Sequence, residues 1–354
     1  MLYKSAEHID QQLIVLREKN EARELAAMHS RHAANEVSAP PTINLLIKTK
    51  CFPWESLESL LFRVSTLNHL SGISILQRAL MLPENGVMSI QRHLQLGIAL
   101  GQDLRALSPA IPTLMSKSTI RLQGHLLPIK HLALSSYRVC PHCVEELGYG
   151  KSYWSLAPFS VCEMHKCMLI DSCAACEKPL TATRPAYGVC SCGARYSKMS
   201  SIDCSELLQE IANIIAAKFT RQPIADGSRF YPDEILSMEL LDVLELLAFL
   251  AALSEDPGTM YLDLNRKVVS LKLCHRRCKK ATSALLDWPN GFHKLLASTR
   301  SFRSYNETAA TVYNSISHVI GAIPAGTQRK WCHFILSGVE SFLSNRKSWS
   351  HSSY

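Results

Sequence analysis

The sequence has no apolar run long enough to cross a bilayer. Its longest nearly apolar stretch, Leu240–Leu253, is broken by Asp242 and Glu245 and falls short of the roughly 20 residues that a span requires. The first residues, Met1-Leu2-Tyr3-Lys4, lead into no apolar signal core, so the expectation is a cytoplasmic protein with no membrane association. Phosphate-loop spacing of the Gly-x-x-x-x-Gly-Lys-Ser/Thr type is absent, which argues against nucleotide hydrolysis. No Gly-x-Ser-x-Gly elbow occurs, and the His-x-Glu…Pro-Cys-x-x-Cys signature of the zinc deaminases is missing as well. Acid pairs such as Glu145-Glu146 and Asp233-Glu234 fall at element ends, where they suit helix dipoles or solvent better than catalysis.

What is present is a globular composition, 47% apolar and 19% charged in 354 residues, enough for two or three domains. The 13 cysteines are an odd number. In a reducing compartment that favours metal ligands or free thiols over disulfides.

Eight ligand-type residues fall in four close pairs: Cys140-Pro-His-Cys143, Cys162-Glu-Met-His165, Cys173-Ala-Ala-Cys176 and Cys190-Ser-Cys192. One or two residues between ligands let a tight turn present both side chains to one ion, and eight ligands complete two tetrahedral Zn²⁺ sites. Sequential pairing assigns Cys140, Cys143, Cys162 and His165 to one ion. It assigns Cys173, Cys176, Cys190 and Cys192 to the other; an interleaved arrangement stays open. Both sites would be full, so the two zinc ions are expected to be structural, supporting a segment poor in core residues. Cys167 reads as a packed thiol, and His142 as pointing to solvent. Cys274 and Cys278, at i and i+4, read either as packed thiols or as ligands together with His275 or His293.

The net charge of +8 permits nucleic-acid binding without demanding it. Acid-free windows run over 104–144 and 265–286. The second carries Arg266, Lys267, Lys272, Arg276, Arg277, Lys279 and Lys280, which are candidate phosphate contacts; a solvated helix face is the plainer reading.

Periodicity predicts a mostly α protein. Ile9, Leu13, Leu16, Leu25 and Met28 suggest an amphipathic helix over 5–33, broken by Pro40-Pro41, unless Met28 is the true start. Leu57, Leu60, Leu61, Val64, Leu67 and Leu70 form a core-facing stripe ended by Ser71-Gly72, followed by short helices over 74–81 and 90–100. This group reads as helix-turn-helix-like or as a small bundle. Further helices are expected over 206–219, 233–253, 309–320 and 327–343. The resulting division is an N-terminal helix and linker (1–48), a helical region (49–139), two small zinc-finger modules (140–204) and a helical C-terminal domain (205–354). Glu55 and Glu58 read as partners of a helix dipole.

Three segments together resemble the TniQ family of transposition targeting proteins. They are Phe52-Pro53-Trp54-Glu55-Ser56-Leu57-Glu58 with the following Arg63, the paired-ligand block from Cys140 to Cys192 with Tyr153-Trp154, and Asp287-Trp288-Pro289-Asn290-Gly291-Phe292-His293. The resemblance implies a non-enzymatic adaptor, a homodimer that links a target-DNA recogniser to a TnsC/TniB-like AAA+ regulator. In the CRISPR-associated branch, which the opening segment favours, the recogniser is a Cascade ribonucleoprotein; in another branch the protein reads a DNA site directly. The resemblance also makes Arg63 a candidate partner contact. A zinc-containing nuclease or RNA-processing enzyme is the alternative from another class.

Overall fold

The computed structural model describes residues 45–83, 86–134, 136–224, 229–254, 270–298 and 329–350. The expected helices over 5–33 and 309–320, and the candidates Arg266 and Lys267, lie outside these. The described residues are mostly α-helical. Contacts divide the chain into two bodies, Met1–Ile129 with Ala182–Tyr187, and Lys130–Thr181 with Gly188–Tyr354.

In the first body, α1 (Leu57–Leu67) starts where the Ser56 hydroxyl accepts the Ser59 N–H at 3.1 Å. Leu57, Leu60, Leu61 and Val64 are buried as the stripe predicts, but Leu67 is 40% exposed because the helix ends there. Phe62, outside the stripe, is fully buried, and Arg184 lies over its ring at 4.1 Å. α2 (Ser74–Ala79) and α3 (Ile90–Leu100) follow, and the turn before α2 passes under the backbone of Arg184. Gly72 is required there. It holds φ +73°, and a Cβ would come within 2.5 Å of the Arg184 carbonyl.

After the single turn α4 (Leu104–Leu107) comes a sheet that helical periodicity does not announce. β1 (Thr113–Leu114), β2 (Thr119–Leu122) and β3 (His125–Pro128) pair antiparallel in that order. Leu122 faces His125 across Gln123-Gly124, both at positive φ, as a two-residue hairpin turn demands. His93 of α3 is buried with Nδ1 2.8 Å from Ser108 Oγ and Nε2 3.1 Å from Thr113 Oγ1.

Of the two carboxylates expected near the helix dipole, Glu58 does lie in the first turn of α1, while Glu55 does something different. Glu55 precedes the cap and is fully buried. It accepts hydrogen bonds from Arg63 Nε (2.8 Å) and Nη2 (2.7 Å), from the Phe52 N–H (2.9 Å) and from Ser59 Oγ (3.0 Å). Glu58 meets the buried guanidinium of Arg184.

The second body begins with the cysteine-rich segment, including α5 (Pro141–Glu146), and continues into helices. These are α6 (Glu206–Thr220), α7 (Asp233–Ser237), α8 (Leu240–Leu253), α9 (Leu271–Leu285), α10 (Asn290–Ser298) and α11 (Lys330–Ser350). The single helix expected over 233–253 is two, because the backbone is extended at Met238 and Glu239. α8 packs against α6, α9 and α11, burying Val243, Leu244, Leu247 and Leu250. The Trp288–Phe292 segment is packing: the Trp288 ring stacks on Phe334 at 4.0 Å and on Phe292 at 5.1 Å. No helix among the described residues is long and apolar enough to cross a membrane.

Candidate metal centres

Local backbone geometry builds the first cluster. Cys140 is the N-cap residue of α5, with Pro141 in the first position and Cys143 one turn on. The facing pair comes from a tight knuckle, in which the Lys166 N–H returns to the Cys162 carbonyl (3.1 Å) and Lys166 takes φ +53°. Val139 and Ile170 exchange backbone hydrogen bonds at 3.0 and 2.9 Å, which fastens the two halves together. The second cluster repeats the device twice. Glu177 N–H returns to Cys173 O with Glu177 at φ +59°, and Gly193 N–H returns to Cys190 O with Gly193 at φ +88°.

The side chains converge as the turns direct. In the first cluster Cys140, Cys143, Cys162 and His165 place their ligand atoms within 4.8 Å of one another, and in the second Cys173, Cys176, Cys190 and Cys192 do the same. The grouping is sequential, not interleaved. His165 Nδ1 lies 3.5, 3.2 and 3.5 Å from the sulfurs of Cys140, Cys143 and Cys162. Sulfur–sulfur separations are 3.6 Å for Cys143–Cys162, 3.8 Å for Cys173–Cys192 and 3.7 Å for Cys176–Cys190. A tetrahedron with Zn–S bonds near 2.3 Å has edges of about 3.8 Å, so donor type, donor number and spacing all fit Zn²⁺. None of these cysteines is in a disulfide.

The thiols shift in opposite directions: hydrogen bonds with Cys140, together with burial, push those of Cys143 and Cys162 up, while two others are drawn down. The hydrogen bond with Cys143, joined by those with Cys162 and Cys167, holds the Cys140 sulfur well below the usual thiol range. Against its burial, the Cys192 N–H and neighbouring thiols draw Cys190 down to about 7. His165 turns Nε2 to Glu146 Oε2 at 2.8 Å, leaving Nδ1 for the sulfurs. When bound, the ions would be held by these eight side chains and would supply cross-links, since four protein donors fill each tetrahedron.

Two residues near the clusters sit apart from them. The buried Cys167 sulfur is 3.6 Å from Cys140 but does not converge with the other three ligands, and His142 is exposed with its ring 5.3 Å from that of His165. Cys274 and Cys278 form no cluster with histidine. Both are on the buried face of α9, while His275 Nδ1 is 3.3 Å from Ser160 Oγ and His293 Nε2 is 3.1 Å from the Gly338 carbonyl.

On α9 the candidate phosphate contacts divide from the core by helical spacing. Leu271, Cys274, Cys278, Ala281 and Leu285 are buried, whereas Lys272, Arg276, Lys279 and Lys280 are exposed and Arg277 is half-buried. Lys280 Nζ also donates to the Ser254 carbonyl at 3.1 Å. Arg63 is engaged internally. Besides Glu55 it donates to Thr49 Oγ1 (2.9 Å) and the Lys50 carbonyl (2.6 Å), and its guanidinium lies over Phe52 at 4.1 Å.

Sequence reasoning did not identify Arg138. It is buried two residues before the first ligand, and its Nη1 donates to the carbonyls of Trp154 (3.2 Å), Leu156 (2.9 Å) and Phe159 (2.8 Å). Its Nη2 donates to Cys274 Sγ at 3.2 Å, joining the metal segment to α9. Its place in the acid-free window 104–144 and its closeness to Cys140 are the signals that the sequence offers for it.

Among known proteins, no curated sequence matches the chain. A family model described as TniQ matches residues 46–169, a range that holds the whole first cluster and ends before the second.

Proposed function

We propose, from the TniQ match over residues 46–169, that the chain is a transposition-associated targeting adaptor without catalytic activity of its own. In this reading it works in the cytoplasm as a homodimer and connects a recogniser of target DNA to a TnsC/TniB-like AAA+ regulator. The favoured recogniser is an RNA-guided Cascade complex, and the working units are 1–48, 49–139, 140–204 and 205–354. The TniQ match is the observation that carries the proposal. The metal centres agree with it: four protein donors per cluster leave no corner for an activated water, so zinc serves stability. The test is co-purification of the tagged chain with the regulator ATPase and with Cascade, alongside a cleavage assay on DNA and RNA. Binding without cleavage supports the adaptor; cleavage by the purified chain overturns it in favour of a nuclease.

Direct recognition of DNA is the second reading, and the basic face of α9 favours it. Lysine and arginine contacts to phosphate release counterions, so affinity should fall steeply with salt. Replacing Arg276, Arg277, Lys279 and Lys280 by Gln should weaken binding to DNA or ribonucleoprotein and flatten the salt dependence by up to about four phosphate contacts. Unchanged affinity and slope would make this face a matter of solubility alone. The exposed face of α3 suits base reading poorly, since Ile90, Leu94 and Ile98 offer no hydrogen-bond donors.

A further inference from the structure

α3 is apolar on two faces. His93, Leu96, Gly97 and Leu100 turn inward and are buried, as helical spacing requires. On the opposite side Ile90, Leu94 and Ile98, at i, i+4 and i+8, are 50%, 54% and 70% exposed. Three branched apolar side chains in one line are more than the scattered exposure of an ordinary surface.

The path of the chain identifies the occupant. Lys48 lays its aliphatic stem across Gly101, the residue that closes α3: a Cβ there would be 2.1 Å from Lys48 Cδ. The Cys51 N–H donates to Gln102 Oε1 at 3.1 Å. Lys48 and Cys51 are therefore held at the C-terminal end of α3, one turn beyond Ile98. Just before Lys48, Leu46 is 93% exposed and Ile47 45% exposed, with the Ile47 backbone held by the Asn68 side chain at 2.9 and 2.8 Å, so the start of the described chain adds exposed apolar side chains to this body. The sequence preceding it repeats apolar residues at helical spacing: Ile9, Leu13 and Leu16, then Leu25 and Met28. Ile90 to Ile98 measures about 12 Å along the helix. Residues 34–44 reach up to about 36 Å when extended, so the tether is long enough to lay 5–33 along the stripe.

We propose that residues 5–33 dock through their apolar positions onto the Ile90, Leu94 and Ile98 face of α3 in the same chain. The pairing is helix on groove, with apolar anchors at i, i+3 and i+4 against a facing row. It leaves the charged residues of 5–33, among them Glu18, Lys19 and Glu21, toward solvent.

Hydrogen–deuterium exchange on the full chain tests this at two protein concentrations, with sedimentation as a parallel readout of oligomeric state. Residues 5–33 should exchange at least about tenfold more slowly than free peptide at both concentrations. The pair Leu94→Glu and Ile98→Glu, both at exposed positions, should remove that protection. The pair Leu13→Glu and Leu16→Glu should do so too, and should speed exchange across 90–98; it decides the matter should the α3 variant fail to fold. Unprotected 5–33 in the natural chain overturns the proposal, as does protection that survives either pair. Protection that grows with concentration and vanishes with a sedimenting dimer also overturns it, and assigns the face to a second copy.

Discussion

In the first body the most deeply buried ionic groups are carboxylates and guanidinium groups that face each other, Glu55 with Arg63 and Glu58 with Arg184. The second also holds a paired carboxylate, Glu245 with His131 and Lys130, but adds what the first lacks among the described residues: clustered thiols, and Arg138, which meets carbonyls and a sulfur. The first arrangement is complete within the polypeptide. The thiol clusters of the second have the donor set and the spacing to take one cation for each group of four. The bodies also differ in what they leave uncovered. Among the described residues most exposed large hydrophobics, including Leu46, Ile90, Leu94 and Ile98, belong to the first, while Met164, Ile202 and Leu286 belong to the second. Among the described residues, the body with the thiol clusters thus exposes fewer large apolar side chains than the body without them.

The strongest way to break this contrast is to remove the metal. Elemental analysis should give two zinc ions per chain, and chelation, Cys140→Ser or Cys176→Ser should unfold the second body. A structural zinc contributes about 10–16 kcal/mol in small finger peptides. One zinc or none in folded protein would sink the assignment. Cys167→Ser, outside the convergent set, should leave the zinc content at two.

The complementary break is in the first body. Arg63→Ala strands a fully buried Glu55 carboxylate and should cost about 3–5 kcal/mol, read by thermal or urea denaturation, with zinc content unchanged. Because Arg63 is engaged by Glu55, Thr49 and Lys50, the melting temperature should fall while binding to the regulator is retained below it. Lost binding at an unchanged melting temperature would instead make Arg63 a docking residue.

A smaller effect separates the bodies by pH. Glu245 on α8 lies 2.8 Å from Lys130 Nζ and 2.9 Å from His131 Nε2. Burial pushes its carboxyl up, but hydrogen bonds and charge from His131 and Lys130 outweigh this and bring it down to about 2. A carboxyl lowered by folding stabilises fully above its ordinary value near 4.5, and that contribution is lost as pH falls toward 2. Glu245→Gln should therefore cost about 1.5–3 kcal/mol near neutrality, and the difference from the natural chain should shrink between pH 4.5 and 2. A pH-independent difference would refute the assignment. The smallest effect should be alike in both bodies: Ser56→Ala and Ser205→Ala each remove one N-cap hydrogen bond and should each cost about 1 kcal/mol in denaturant titrations.

The metal clusters and most helices were legible because their signals are local: ligands two residues apart, apolar positions three and four apart. What stayed hidden depends on distance along the chain. Arg63 stood only as a candidate partner contact, because nothing in the sequence reveals that Glu55 turns inward to meet it. Arg184 finds Glu58 from far along the chain. β1 to β3 are two to four residues each, too short for alternation to register, and the break at Met238 is masked by the even apolar content around it. Leu67 showed the converse: a periodic stripe cannot announce where its helix stops.

Arg138 has a consequence for how the metal and the basic helix influence each other. Its guanidinium spans the carbonyls beside the first cluster and the sulfur of Cys274 on the inner face of α9. Any phosphate ligand that settles on the outer face of α9 therefore acts on an element moored to the zinc segment. Coupling of this kind is reciprocal. Stripping the metal should lower the affinity for polyanions, and a bound polyanion should raise the affinity for zinc, read by equilibrium competition with a chelator, by the same free energy. Arg138→Met, which keeps the bulk and removes the mooring, should uncouple the two.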